Sequence, residues 1–176
     1  MRLRKINAGL SLLCTLLLLG HAISLGIWML SRGRVALTAT PLPWILVWVM
    51  AAHAILSILL GILGHKGAEK RKCNSYPKLN AATLFQRIGG ILLLVFTIPH
   101  VAGASGAMTP PQLVHAVLPP LFFTLALAHA AVSASKAFIT LGIGNARFIK
   151  VAGIAFQVLC AVTLVADVVG FYLFVY

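Results

Sequence analysis

The chain has 176 residues, 61% of them hydrophobic and only 9% charged, with a mean hydropathy of +1.03. A soluble domain carries about a quarter charged residues, and so apolar a chain has too much surface to bury to stay disordered; both classes are excluded. Fourteen Lys and Arg stand against two acids, Glu69 and Asp167, for a formal charge of +12. A basic balance raises nucleic acid as a partner, but these bases sit between long apolar runs. A membrane is the simpler cause, and no nucleic acid is expected. The cysteines, Cys14, Cys73 and Cys160, form no CxxC pair, no CxxCH haem-attachment motif and no disulfide framework.

Charge-free stretches mark the membrane spans in chain order. The first covers 6–31. Its basic start resembles a signal peptide, but the apolar run is too long and no A-x-A site follows it, so the helix is expected to remain. The second covers 35–65 and is entered through Pro41 and Pro43, which puts the helix start near Pro43 or Trp44. Residues 88–135 contain no charge, which is too long for one span, and the turn-rich segment from Gly103 to Pro111 divides them. The last covers 151–176, interrupted only by Asp167. Each run approaches the roughly 20 residues that cross a hydrocarbon core of about 30 Å. The predicted architecture is an all-α membrane protein, one transmembrane domain over 1–176, with five helices near 6–30, 43–65, 83–104, 112–136 and 149–175.

The loop charges predict its orientation. With the N-terminus inside, the inner side collects Arg2, Arg4 and Lys5, then Lys66, Lys70, Arg71, Lys72, Lys78 and Arg87, then Lys136, Arg147 and Lys150. Only Arg32 and Arg34 remain outside. The positive-inside rule thus makes the N-terminus cytoplasmic.

Ionisable side chains within spans are costly and mark function by default. His21, His53, His100 and His129 lie well inside the first four helices, one on each. Taken singly, each is more simply a packed core residue; four on successive helices, with almost no other polar group in the spans, point to ligation. At 1.5 Å per residue, His21 and His100 lie roughly 22–25 Å from the inner surface, and His53 and His129 roughly 10–18 Å. Two pairs at two depths is the arrangement that bis-histidine ligation of two stacked b haems requires. Small residues surround them: Ala51, Ala52 and Ala54 beside His53, Ala128, Ala130 and Ala131 beside His129, Gly20 and Gly103 near the outer pair. Such residues let a porphyrin approach the backbone, although they also serve helix packing. Zinc is a poor alternative without Cys/His or His/carboxylate clusters at ligand spacing, and the Met and Cys pairing that suits copper is absent. His65, beside Lys66, reads as a solvated surface residue. His115 reads as lining the outer haem or a quinone pocket, or equally as a loop-end histidine.

Five helices, one histidine on each of the first four, and the segment from Leu84 through Gln86-Arg87-Ile88-Gly89-Gly90 to Pro99-His100 resemble the dihaem cytochrome b subunit of succinate dehydrogenase/fumarate reductase (type B). That family opens its third helix with QR-[IV]-[ST]-G and places a haem ligand about fourteen residues past the Gln. Gly89 departs from the usual Ser/Thr. The resemblance implies a proximal haem between His53 and His129 and a distal haem between His21 and His100. It also implies quinone, commonly menaquinone, as substrate, with a covalent-FAD flavoprotein and a three-cluster iron–sulfur subunit docked on the cytoplasmic face. By the same resemblance Arg87 pairs with a proximal propionate; Arg32 or Arg34 could serve the distal one by position. Some members carry a Glu two residues before the fourth-helix ligand as a proton path; Leu127 stands there in this chain, and the second helix has no acid. Proton exchange and quinone contact then fall to Asp167, to His115 or to water, with a structural hydrogen bond as the plain role for Asp167.

The expected function is the membrane anchor and electron conduit of that complex in the inner (cytoplasmic) membrane, silent alone towards the dicarboxylate. Two rivals stand beside it. One is the cytochrome b subunit of another respiratory complex, such as a formate dehydrogenase, hydrogenase or nitrate reductase, whose folds typically put two ligands on one helix. The other is a haem-free transporter or assembly protein with packing histidines.

Overall fold

The computed structural model describes residues 2–35, 41–68, 77–104 and 112–174, with side chains over 2–35, 41–63, 83–103 and 117–174. They form five α-helices: α1 (Arg2–Leu30), α2 (Leu42–Ala68), α3 (Pro77–Ala104), α4 (Gln112–Leu141) and α5 (Ala146–Phe174). Each is long and apolar enough to cross a bilayer, so the chain is a multi-pass membrane protein.

The helices outrun the charge-free stretches. α1 begins four residues before the expected 6, α3 six before 83, and α4 continues five beyond 136. A span ends where hydrocarbon ends, but a helix with satisfied backbone bonds continues into the headgroup region, where Arg4, Lys5, Lys136 and Arg147 can remain helical. α2 begins at Leu42, ahead of the expected Pro43, with the Ile45 N–H donated to the Pro41 carbonyl at 3.0 Å. Pro43 is harmless in the first turn, where a backbone N–H has no helical acceptor. Between α3 and α4, residues 105–111 lie outside the described residues.

Two helix ends are fixed by backbone geometry. At the end of α1, Arg32 N–H bonds Met29 O and Gly33 N–H bonds Trp28 O, with Arg32 at φ 54° and Gly33 at φ 74°. At the end of α4 the same pattern runs from Gly142 N–H to Ile139 O and Ile143 N–H to Phe138 O, with Gly142 at φ 74°. Both are Schellman closures, which place their C′ residue in the left-handed region. Glycine fills that position in α4, arginine in α1. Asn145 then caps α5, its Oδ1 accepting the Phe148 N–H at 2.9 Å.

The interior is built from small residues and the surface from large ones. α1 buries Ala8, Ser11, Thr15, Leu19, Ala22, Gly26 and Met29, in steps of three or four that average 3.5. α5 repeats the pattern through Cys160, Thr163, Asp167 and Gly170. This is the 3.5-residue period of left-handed knobs-into-holes packing. Outside, Trp48 is 74% and Ile98 71% exposed, which in lipid carries no hydrophobic cost. α1, α4 and α5 pack mutually; α2 packs on α1, and α3 on α4. Neither α1 with α3 nor α2 with α4 is among the closely packed pairs.

Candidate functional site

The histidines lie across those two unpacked helix pairs. His21 of α1 is within electrostatic reach of His100 of α3, and His53 of α2 within reach of His129 of α4. Directly packed helices stand about 8–10 Å apart; helices that share only a common neighbour leave a wider gap, into which half-buried imidazoles can project. All four are half-buried.

Contacts between helices fix the vertical register. On one side, Ser57 Oγ donates to Asn7 Oδ1 at 3.2 Å, and a Cβ on Gly20 would stand 3.7 Å from Leu42. His53, one turn from Ser57, is therefore level with α1 ten to twelve residues before His21. On the other side, a Cβ on Gly89 would stand 3.2 Å from His129 Nδ1, and one on Gly90 3.5 Å from its Cε1. His129 is thus level with α3 ten or eleven residues before His100. On each side the inner histidine stands about 16 Å from the outer one along the bundle, which gives a lower pair, His53 and His129, and an upper pair, His21 and His100.

The lower level has a cradle and a brace. Gly89 and Gly90 form the surface on which the His129 ring rests, and the Nδ1 atoms of both His53 and His129 are buried without a hydrogen-bond partner. Buried imidazole nitrogens normally find a partner. One turn further along α3, Gln86 Nε2 donates to Ser133 Oγ at 2.9 Å, and Lys136 Nζ donates to Gln86 Oε1 and Thr83 Oγ1, both at 3.0 Å. This ladder ties α3 to α4 below His129. At the upper level His100 stacks on Phe122, ring centroids 4.6 Å apart and planes 26° inclined. Pro99 precedes it within the helix.

The remaining candidates fall as follows. Arg87 is exposed and within electrostatic reach of Lys136. Arg32 holds its guanidinium 4.9 Å over the Phe174 ring, and with Arg34 it lines an open cleft at the end of α1. A second cleft, between α4 and α5, is lined by Ser135, Lys150 and Gln157 among others; neither cleft includes a histidine. Asp167 is fully buried in the α1–α5 seam with both oxygens unpartnered. Leu127, two residues before His129, belongs to the central cluster with Leu19, Ala22 and Cys160. The side chains of His65 and His115, and all of Glu69 and Cys73, lie outside the described residues.

Sequence reasoning missed three parts of this site: the glycine cradle, the Phe122 platform and the Lys136 ladder. Only the ladder carried a signal, because Gln86 and Lys136 are strongly polar residues flanking apolar runs. Among the described residues no three His, Cys, Asp or Glu side chains converge to hold a free metal ion. A haem iron asks less of the protein, since the macrocycle fills four positions and two imidazoles the rest. The residues fit that demand on two observations: His129 turns its unpartnered Nδ1 onto the Gly89 backbone, which leaves Nε2 as the nitrogen that would ligate, and the backbone cradle is one that a Cβ on Gly89 would crowd. Compared with protein families, curated proteins and solved structures, the chain matches none, so the site stands on its own geometry.

Proposed function

We propose that this chain is a dihaem cytochrome b, the membrane anchor and electron conduit of a succinate:quinone or quinol:fumarate oxidoreductase. One observation carries the reading: four histidines on four helices fall into two pairs, each within electrostatic reach across a helix pair that does not pack, with the inner and outer histidine of each side about 16 Å apart along the bundle. His53 and His129 would hold one haem, His21 and His100 the other. A b haem with two imidazole ligands supplies one-electron transfer and offers no open position to oxygen.

The chain's own residues would position and shield these groups. Gly89 and Gly90 back the His129 imidazole, and the Lys136–Gln86–Ser133 ladder keeps α3 and α4 in register beneath it. Arg87 and Lys136 put two cations at the inner end of that pair, where a propionate would lie. Phe122 holds the plane of His100. The positive-inside rule puts the Arg87 and Lys136 end towards the cytoplasm, where a flavoprotein and an iron–sulfur subunit would dock against basic loops. The fourth-helix ligand on its own helix disfavours the cytochromes that carry two ligands on one.

The test is the reduced-minus-oxidised spectrum of the purified protein. Two b-type components are expected after dithionite reduction, with two haems per chain by pyridine haemochrome. A colourless preparation from haem-sufficient cells would overturn the reading. Copurification with a covalent flavoprotein and an iron–sulfur protein would assign the complex; copurification with a different dehydrogenase would reassign it.

A further inference from the structure

Asp167 is the chain's only aspartate and, among the described residues, the largest side chain wholly withdrawn from the surface. It sits on α5 against α1, with Oδ1 only 2.6 Å from where a Cβ on Gly26 would stand. Position 26 therefore admits the carboxyl because it is glycine. One turn along, the Met29 Cβ lies 3.0 Å from the place of a Cβ on Gly170. Two glycines, one from each helix, close the seam around one acid. Neither carboxyl oxygen has a hydrogen-bond partner, and a bare carboxylate in such a place would have neither water nor cation to stabilise it.

The groups around it offer no counter-charge in the closed seam. On α1, His21 lies more than a turn back from Gly26, and Arg32 rests on Phe174 of α5. On α4, the facing stretch is set by the contact of Gly153 with Ser135, which levels Asp167 with Leu121; residues Val117 to Thr124 carry no titratable side chain. On α5 itself the nearest titratable residue is Tyr172. Towards the α1–α2 end, the next buried residues along the two helices are Met29 and Phe171, 3% and 4% exposed. Beyond them the Arg32–Phe174 contact lies across the same two helices.

We propose that Asp167 is a gated proton-binding site: it is held as a neutral carboxylic acid in the closed α1–α5 seam and releases its proton to water only when α1 and α5 part at the α1–α2 end. Parting the seam leaves a carboxylate on α5, and Arg32, freed from Phe174, is the cation at that end able to meet it. The proton balance is complete without any cofactor, so the inference does not rest on the haem reading and survives its failure.

A single aspartate makes the test site-specific. Full-length protein labelled with [4-13C]aspartate and placed in lipid vesicles is followed by infrared spectroscopy across pH. At neutral pH a protonated carboxyl C=O band that shifts with the label is expected, absent in Asp167→Asn. Gly26→Ala, which forces the seam apart, should convert that band to the carboxylate form at a pH at least one unit lower. It should also speed deuteron exchange at Asp167 from bulk water several-fold. A labelled carboxylate band at neutral pH in the unmodified protein, with or without dependence on added sodium or potassium, would overturn the proposal. So would a band in Gly26→Ala that titrates and exchanges as in the parent. If Gly26→Ala does not fold, Phe174→Leu, which frees Arg32 from its ring contact and leaves the Gly26–Asp167 approach unchanged, supplies the same comparison.

Discussion

The two imidazole levels are held by different physics. At the His53–His129 level, position comes from backbone: two glycines of α3 let the His129 ring lie on the helix itself, and a hydrogen-bonded ladder fixes α3 against α4 one turn away. At the His21–His100 level, position comes from side-chain packing, with His100 lying on Phe122. The first level also keeps both Nδ1 atoms buried and unpartnered. The second has no such orphan among the described residues. A level fixed by close backbone approach has little room for an added atom at Gly89, whereas one fixed by a ring stack can adjust. The two levels should therefore respond unequally to equally small changes.

The largest effect comes from removing a ligand. His53→Ala and His129→Ala should each eliminate the same spectral component, and His21→Ala and His100→Ala the other, with one haem retained per chain in every case. If His53→Ala and His21→Ala abolish one shared component and spare the other, the two levels are wrongly paired and the comparison collapses.

A smaller change sharpens the contrast within the lower level. Gly89→Ala would put a methyl 3.2 Å from His129 Nδ1, while Gly90→Ala meets the ring at 3.5 Å, an ordinary contact. A well-packed site forced to accept one methylene typically loses about 1–3 kcal/mol. Gly89→Ala should therefore lower the occupancy or shift the spectrum of the His53–His129 component alone, with Gly90→Ala close to the parent. Equal behaviour of the two variants, measured by haem content per chain, would remove the cradle from the argument.

Much of this was legible in the amino-acid order, and the rest was hidden for a physical reason. Charge is expelled from hydrocarbon, so charge-free runs disclosed five spans, and the histidines stood out inside them. Helix ends did not, because a helix leaves the hydrocarbon without breaking, and Lys136 marked a boundary that α4 passes by five residues. The faces were hidden too. In water an apolar stripe marks the buried side; in lipid every side is apolar, and burial follows small residues instead. The step of three and four through Ala8, Ser11, Thr15, Leu19, Ala22 and Gly26 was present in the sequence, but mixed with large aliphatics that turn outward. Gly89 and Gly90 drew notice as a motif, without disclosing that His129 lies on them. Asp167 was visible as a lone acid, yet its glycine partner lies on the first helix, more than a hundred residues away.

The smallest effect separates the brace from the ring stack. Lys136→Met keeps most of the side-chain volume and removes two hydrogen bonds, leaving Gln86 bonded to Ser133. A hydrogen bond from a charged donor contributes about 1.5–3 kcal/mol when buried, but Lys136 lies at the bundle's edge, where water competes, so a loss of about 1–2 kcal/mol is expected. Phe122→Leu removes an aromatic contact worth about 0.5–1.5 kcal/mol beyond its area. Thermal unfolding in detergent should rank Lys136→Met below Phe122→Leu. The spectra should divide the opposite way: Phe122→Leu perturbs the His21–His100 component directly, and Lys136→Met reaches His129 only through helix register. A Phe122→Leu protein whose two components both match the parent would show that the ring stack fills space without orienting His100, and the two levels would then differ in rigidity at one end only.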